Sequence, residues 1–130
     1  MINRDENRLL VVDDEDLFRN SIIKLLTMEG YSVLSASDGN EALGLIKENK
    51  FQLVITDLKM PGMSGMELIH EIQKLSPDTK VVVITAHGEW NTYLEAMERG
   101  AFEYLNKPIN KDDLFYAVKR ALLGFSIAEK

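Results

Sequence analysis

Hydrophobic and polar positions along this chain switch repeatedly between two periods. Five short runs rich in β-branched and other apolar residues stand out: "LLVVD" (Leu9–Asp13), "SVLSA" (Ser32–Ala36), "LVITD" (Leu53–Asp57), "VVVIT" (Val81–Thr85) and "EYLNK" (Glu103–Lys107). The first, third and fourth are almost continuous in apolar residues, the pattern of strands buried on both faces of a parallel sheet. The second is weaker and fits an edge strand. The runs begin about 21 to 28 residues apart, room for one helix and two loops in each gap. Within the gaps the period lengthens. Phe18, Ile22, Leu25 and Leu26 share one helical face, as do Leu68, Ile72 and Leu75 with Ile69 beside them. A longer stripe runs through Leu114, Ala117, Val118, Ala121, Leu122 and Phe125.

Punctuation agrees with the periodicity. Asp38-x-x-Glu41 and Ser64-x-x-Glu67 have the form of capping boxes, and Asn110 can cap the last helix. Gly30 and Gly100 stand where the first and fourth helices should stop. Strand and helix thus alternate five times. Parallel strands joined by right-handed crossovers lead to an α/β fold, a doubly wound parallel sheet with helices on both faces. No linker or low-complexity tract divides the chain, so 1–130 is expected to be one domain, with 1–7 a loose lead-in and 126–130 a tail.

Composition narrows the function more than the fold. At 130 residues and 45% hydrophobic, the chain is long enough for one real core and short for two. Its net charge of −6 disfavours direct contact with nucleic acid or an anionic membrane and favours cations and basic partner surfaces. No apolar run approaches the roughly 20 residues needed to span a bilayer, and no signal-peptide stretch opens the sequence. Cysteine is absent, which excludes disulfides and is compatible with a cytoplasmic location.

The chemistry lies at the ends of the apolar runs. The first ends in Asp13-Asp14, the third in Asp57, the fourth in Thr85 and the fifth in Lys107. In open α/β sheets, sites form outside the carboxyl ends of the strands, so these residues should share one rim. An aspartate closing a core strand is commonly a turn former. Four matching partners on neighbouring strand ends make a site the better reading. Three carboxylates on one rim repel one another, and a divalent cation relieves that repulsion. Mg²⁺ suits them: Asp57, Asp14 and a backbone carbonyl just past the third strand, naturally that of Lys59, could be ligands, with Asp13 acting through water. Lys107 can reach Asp57 or an anion on it, and Thr85 offers a hydroxyl. Such parts suit phosphoryl transfer to a carboxylate nucleophile. P-loop, dinucleotide-binding and G-x-S-x-G motifs are missing.

The stretches "LLVVDDEDLFR", "LVITDLKMPGMSGMEL", "VVVITAHG" and "GAFEYLNKPIN" together resemble the receiver domains of two-component response regulators, over about Arg8 to Leu123. The resemblance implies a flavodoxin-like (βα)5 fold with strand order 2-1-3-4-5. It implies that Asp57 accepts phosphate from a phosphohistidine on a sensor histidine kinase or histidine phosphotransfer domain. Asp13 and Asp14 would hold Mg²⁺ with Asp57 and the Lys59 carbonyl. Thr85 would bond a phosphoryl oxygen, Lys107 would pair with it, and Tyr104 would change rotamer with Thr85. The Lys107–Pro108 bond is expected to be cis. A face built from the fourth helix, fifth strand and fifth helix, including Tyr93, Met97, Tyr104 and Phe115, would meet an output domain, an effector protein or a second copy of the chain. The resemblance implies a signalling switch rather than an enzyme, and hydrolysis of its phosphate would be tuned at Lys59 and His87. An aspartyl phosphatase on a related fold would carry an acid where Lys59 stands. His70 is read as a surface residue and Trp90 as a partly exposed loop residue.

Overall fold

The computed structural model describes residues 8–86 and 88–124. The lead-in at 1–7, the tail at 126–130, Phe125 of the last apolar stripe and His87 lie outside the described residues. The elements alternate as the periodicity predicts: β1 (Arg8–Val12), α1 (Asp16–Met28), β2 (Ser32–Ala36), α2 (Gly39–Glu48), β3 (Leu53–Thr56), α3 (Gly65–Leu75), β4 (Lys80–Thr85), α4 (Trp90–Glu98), β5 (Glu103–Asn106) and α5 (Lys111–Leu122). All strand pairs are parallel, in the order β2-β1-β3-β4-β5. The expected strand order and doubly wound α/β fold are both present.

Alternation along the strands divides the core in two. Leu10 and Val12 of β1, Val54 of β3, and Val81 and Val83 of β4 pack with Ala42, Ile46, Leu68, Ile69, Ile72 and Ala96 of α2, α3 and α4. Leu9, Val11, Leu53, Ile55, Val82 and Ile84 point the other way, onto Ile22, Leu26, Leu114, Val118 and Ala121 of α1 and α5. A strand covered on both faces has no polar side to show, which is why these runs read as continuous. β2 lies at the edge, with only Ala36 fully buried.

Several local readings need correction. Asp13, Asp57 and Lys107 each lie one residue past the strand they were expected to close. Asp38 does cap α2 by accepting from the Glu41 amide at 2.8 Å. The Glu41 carboxylate, however, accepts from the Ser37 amide rather than from that of Asp38, so the box is offset by one residue. Ser64 and Glu67 form a complete capping box, and Asn110 caps α5. Leu75, the last residue of α3, is half-exposed and does not join the buried stripe. Trp90 is the first residue of α4 and well exposed, not a loop residue. Gly30 and Gly100 adopt positive φ (96° and 111°) just after α1 and α4, a conformation that favours glycine.

Candidate functional site

Register brings the acids together. Val12 of β1 pairs with Thr56 of β3, so the next residues, Asp13 and Asp57, leave the sheet side by side. Both backbones are still tied to it: the Asp57 amide donates to Val12 O and the Asp13 amide to Ala36 O. The β1–β3 boundary is where the strand order reverses direction, the place where open α/β sheets form their crevice. Asp13 and Asp57 are buried and Asp14 is exposed, yet carboxylate oxygens from all three lie within 4.8 Å of one another. Thr85 is fully buried at the end of β4. It pairs with Asn106 of β5, and its carbonyl accepts from the Lys107 amide at 2.9 Å, which sets Lys107 on the same rim. The Lys107–Pro108 peptide is cis, as expected.

The Lys107 ammonium crosses the rim to lie 3.0 Å from Asp13 Oδ2 and 3.0 Å from Asp57 Oδ2. It also donates to Glu15 Oε1 at 2.5 Å and sits 4.2 Å from the centre of the Phe18 ring. Burial by itself would pull the Lys107 pKa down, but the carboxylates of Glu15, Asp13 and Asp57 outweigh it and push it well above the ordinary lysine value. The Asp13 pKa is raised as well. Its burial raises its pKa, the nearby Asp57 charge adds to that, and the Glu15 amide and Lys107 only partly offset them. The Asp57 carboxylate is oriented by its Oδ1, which accepts from the amides of Leu58 (2.6 Å) and Lys59 (3.4 Å). Its Oδ2 faces the rim and Lys107.

The loop that turns Asp57 toward the rim is held by a close approach. Gly65, first residue of α3, donates its amide to Leu58 O at 2.8 Å. A Cβ on Gly65 would fall 2.1 Å from the Asp57 carbonyl oxygen and 2.7 Å from Leu58 Cα, so no side chain fits there. On the opposite wall Arg19 of α1 donates to the Asp13 main-chain carbonyl at 2.7 Å and pairs with Asp16, which pins the β1–α1 loop carrying the acid pair.

Sequence reasoning did not find three of these residues. Glu15 directly follows the acid pair and nothing in the sequence singled it out. Its backbone is the N-cap of α1, but its side chain caps nothing and goes to Lys107 instead. Nothing singled out Arg19 either, and Phe18 was placed only in the apolar stripe of the first helix. Only the fold shows one gripping the acidic loop and the other lying under the ammonium. Lys59 is exposed, with its amide toward Asp57. Tyr104 is half-buried on β5, its hydroxyl 2.8 Å from Thr92 Oγ1 of α4 and its ring edge-on to Tyr93. Met97 and Phe115 pack against opposite halves of the core, while Tyr93 is exposed. His70 is exposed, as read.

A hard divalent cation fits this donor set. It offers oxygen ligands alone, three carboxylates from two adjacent strand ends, with neither thiolate nor imidazole among them. Burial raises the Asp13 pKa even with Lys107 against it, and a cation bound there would offset that cost.

Comparison with known proteins agrees with this geometry. The family model described as the response regulator receiver domain matches residues 9–119. The chain is 43% identical over 114 residues to the transcriptional regulatory protein GlrR of Escherichia coli, covering 88% of this chain and 26% of that one. It is 32% identical to sporulation initiation phosphotransferase F of Bacillus subtilis, covering 88% of this chain and 93% of that one. A solution structure of the beryllofluoride-activated NtrC4 receiver domain dimer superposes with a TM-score of 0.87 at 38% identity, covering 92% of this chain and 99% of that one. The chain belongs to the receiver domain family of two-component response regulators. Receiver domains are signalling switches that work with histidine kinases and output domains, rather than classical enzymes. The chain spans about a quarter of the length of the transcriptional regulators it matches. No helix among the described residues is long and apolar enough to cross a membrane.

Proposed function

We propose that Asp57 is a phospho-acceptor, taking a phosphoryl group from a phosphohistidine on a sensor histidine kinase or a histidine phosphotransfer domain. The observation that carries this reading is the convergence on Asp57 of two further acids and one lysine from different strand ends. Asp57 is aimed by its Oδ1, held by two backbone amides, which leaves Oδ2 toward the rim as the attacking oxygen. A bond forms from Oδ2 to phosphorus as the P–N bond of the phosphohistidine breaks. The electron pair returns to the imidazole nitrogen, which takes its proton from solvent. Lys107 neutralises charge on the phosphoryl oxygens, and the Thr85 hydroxyl donates to one of them. Asp13, Asp14, Asp57 and the Lys59 carbonyl would hold Mg²⁺, whose bound charge offsets that of the incoming phosphoryl group.

Asp57 phosphorylation then biases an equilibrium between two arrangements of the rim. Tyr104, on the strand that carries Lys107 and bonded to α4 through Thr92, is placed to pass the state to the face of α4, β5 and α5. That face would contact an output domain, an effector protein or a second copy of the chain. The whole chain acts as one receiver domain, in the cytoplasm, without direct contact to nucleic acid or membrane. It catalyses its own phosphorylation and dephosphorylation and nothing else. A phosphatase reading is disfavoured by Lys59 at the position a second acid would need.

Incubation with Mg²⁺ and a small acyl-phosphate donor, followed by intact mass, tests the reading. One added phosphoryl group on the wild type, absent from Asp57→Ala and lost on chelation of Mg²⁺, is the expected result. Equal labelling of Asp57→Ala would exclude Asp57 as the acceptor. Turnover of a phosphomonoester substrate would revive the phosphatase.

A further inference from the structure

We infer that Glu15 is a positioning residue that competes with the phosphoryl group for Lys107, and so sets how firmly this chain holds its activated state. The inference rests on Asp57 being the acceptor. Lys107 is shared three ways, and its three partners differ in kind. Asp13 and Asp57 are buried, with side chains 2% and 5% exposed, whereas the Glu15 side chain is 61% exposed. Glu15 nonetheless reaches the ammonium directly, as the two buried acids do. It occupies the N-cap of α1 and makes no capping bond with its side chain. Its carboxylate is committed to the ammonium. The ammonium itself also lies 4.2 Å from the centre of the Phe18 ring, beside these acids.

Lys107 now donates to Asp57 Oδ2, the oxygen that would attack phosphorus. Once that oxygen is phosphorylated its charge passes to the phosphoryl oxygens, and the ammonium is drawn to follow it. Glu15 holds it back on the solvent side, and any phosphoryl group on Asp57 must outbid a full negative charge for it. Neutralising Glu15 releases Lys107 to the phosphoryl group. Asp112 is the natural control. It is an exposed acid in the first turn of α5 and not a partner of Lys107, so Asp112→Asn changes net charge equally and leaves the lysine and the acidic loop alone.

Isothermal titration of beryllofluoride, a phosphoryl mimic, into protein saturated with Mg²⁺ tests this on wild type, Glu15→Gln and Asp112→Asn. Titration of Mg²⁺ alone is run beside it. An exposed ion pair predicts beryllofluoride binding about two- to fivefold tighter in Glu15→Gln, with Asp112→Asn at the wild-type value. Mg²⁺ alone should bind no tighter to Glu15→Gln, because the freed ammonium falls back on Asp13 and Asp57. Tightening in one ligand and not the other is a split that a merely structural side chain would not produce. Equal tightening in both variants would mean general charge repulsion and overturn the inference, as would unchanged or weaker binding in Glu15→Gln. Wild type that takes up no beryllofluoride at all would instead overturn the acceptor reading, and this inference with it.

Discussion

Lys107→Met removes the ammonium from between two buried acids while keeping an unbranched apolar side chain in its place. In the wild type that ammonium lies 3.0 Å from both Asp13 Oδ2 and Asp57 Oδ2. Without it the two carboxylates face each other unscreened, with oxygens inside 4.8 Å. Two unit charges at that separation repel by about 3.5 kcal/mol at an effective dielectric of about 20. Breaking a buried pair by deleting one partner costs ~3–5 kcal/mol, and this rim is partly open to water through Asp14 and Glu15. A loss of about 2–4 kcal/mol is expected, a large share of a typical domain's stability of ~5–15 kcal/mol. Because the fold raises the Lys107 pKa, its contribution is fully present below the ordinary value of 10.5 and is lost only as pH rises through the folded value. At pH 7.5 the wild type therefore keeps all of it. The assay is urea unfolding at pH 7.5 with a chelator present. Two repairs should work: Mg²⁺, by mass action, and Asp57→Asn in the same chain, by removing one of the two charges. Lys107→Met unfolding at the wild-type midpoint, or a loss that Asp57→Asn leaves untouched, would refute the account of Lys107 as the counter-charge of this pair.

Asp13→Asn should stabilise the chelated protein at pH 7 and lose that advantage as pH falls toward 3.8. The fold raises the Asp13 pKa through burial, so the ionised form costs stability above that range and the cost vanishes once both states are protonated. Thermal melts of both proteins at pH 7 and pH 4 check the sign, and a gain that grows on acidification contradicts it. Gly65→Ala should destabilise by about 1–3 kcal/mol or more, because its Cβ meets backbone rather than a side chain that can swing away. It should also slow acyl-phosphate labelling of Asp57, and a protein unchanged in both melting and labelling would argue that the α3 entry does not hold the Asp57 loop. Tyr104→Phe removes the hydroxyl paired with Thr92 and should cost about 1 kcal/mol in urea unfolding, with labelling of Asp57 intact. Loss of labelling would place Tyr104 in the phosphoryl chemistry rather than downstream of it.

Much of this protein was legible in its linear pattern because the pattern is a direct record of burial. β1, β3 and β4 are covered on both faces, so no polar residue interrupts their interiors, and α1, α3 and α5 each show a buried stripe. Capping residues and helix-ending glycines act through their own backbone neighbours, which is why Ser64, Asn110, Gly30 and Gly100 were readable at short range. The acids, Thr85 and Lys107 were legible for a different reason. A parallel sheet aligns all its carboxyl ends, so residues just beyond separate strands must share a rim whatever their distance in sequence. What required the folded chain was the choice among partners on that rim. Nothing local marks Lys107, rather than a first-turn amide, as the partner of the Glu15 carboxylate, or Arg19 as the clamp on the Asp13 carbonyl. Nor does Gly65 announce that the Asp57 backbone passes within contact of it. These depend on register between β1 and β3 and on how α1 and α3 lean over the sheet, distances set by packing that no single stretch of sequence encodes.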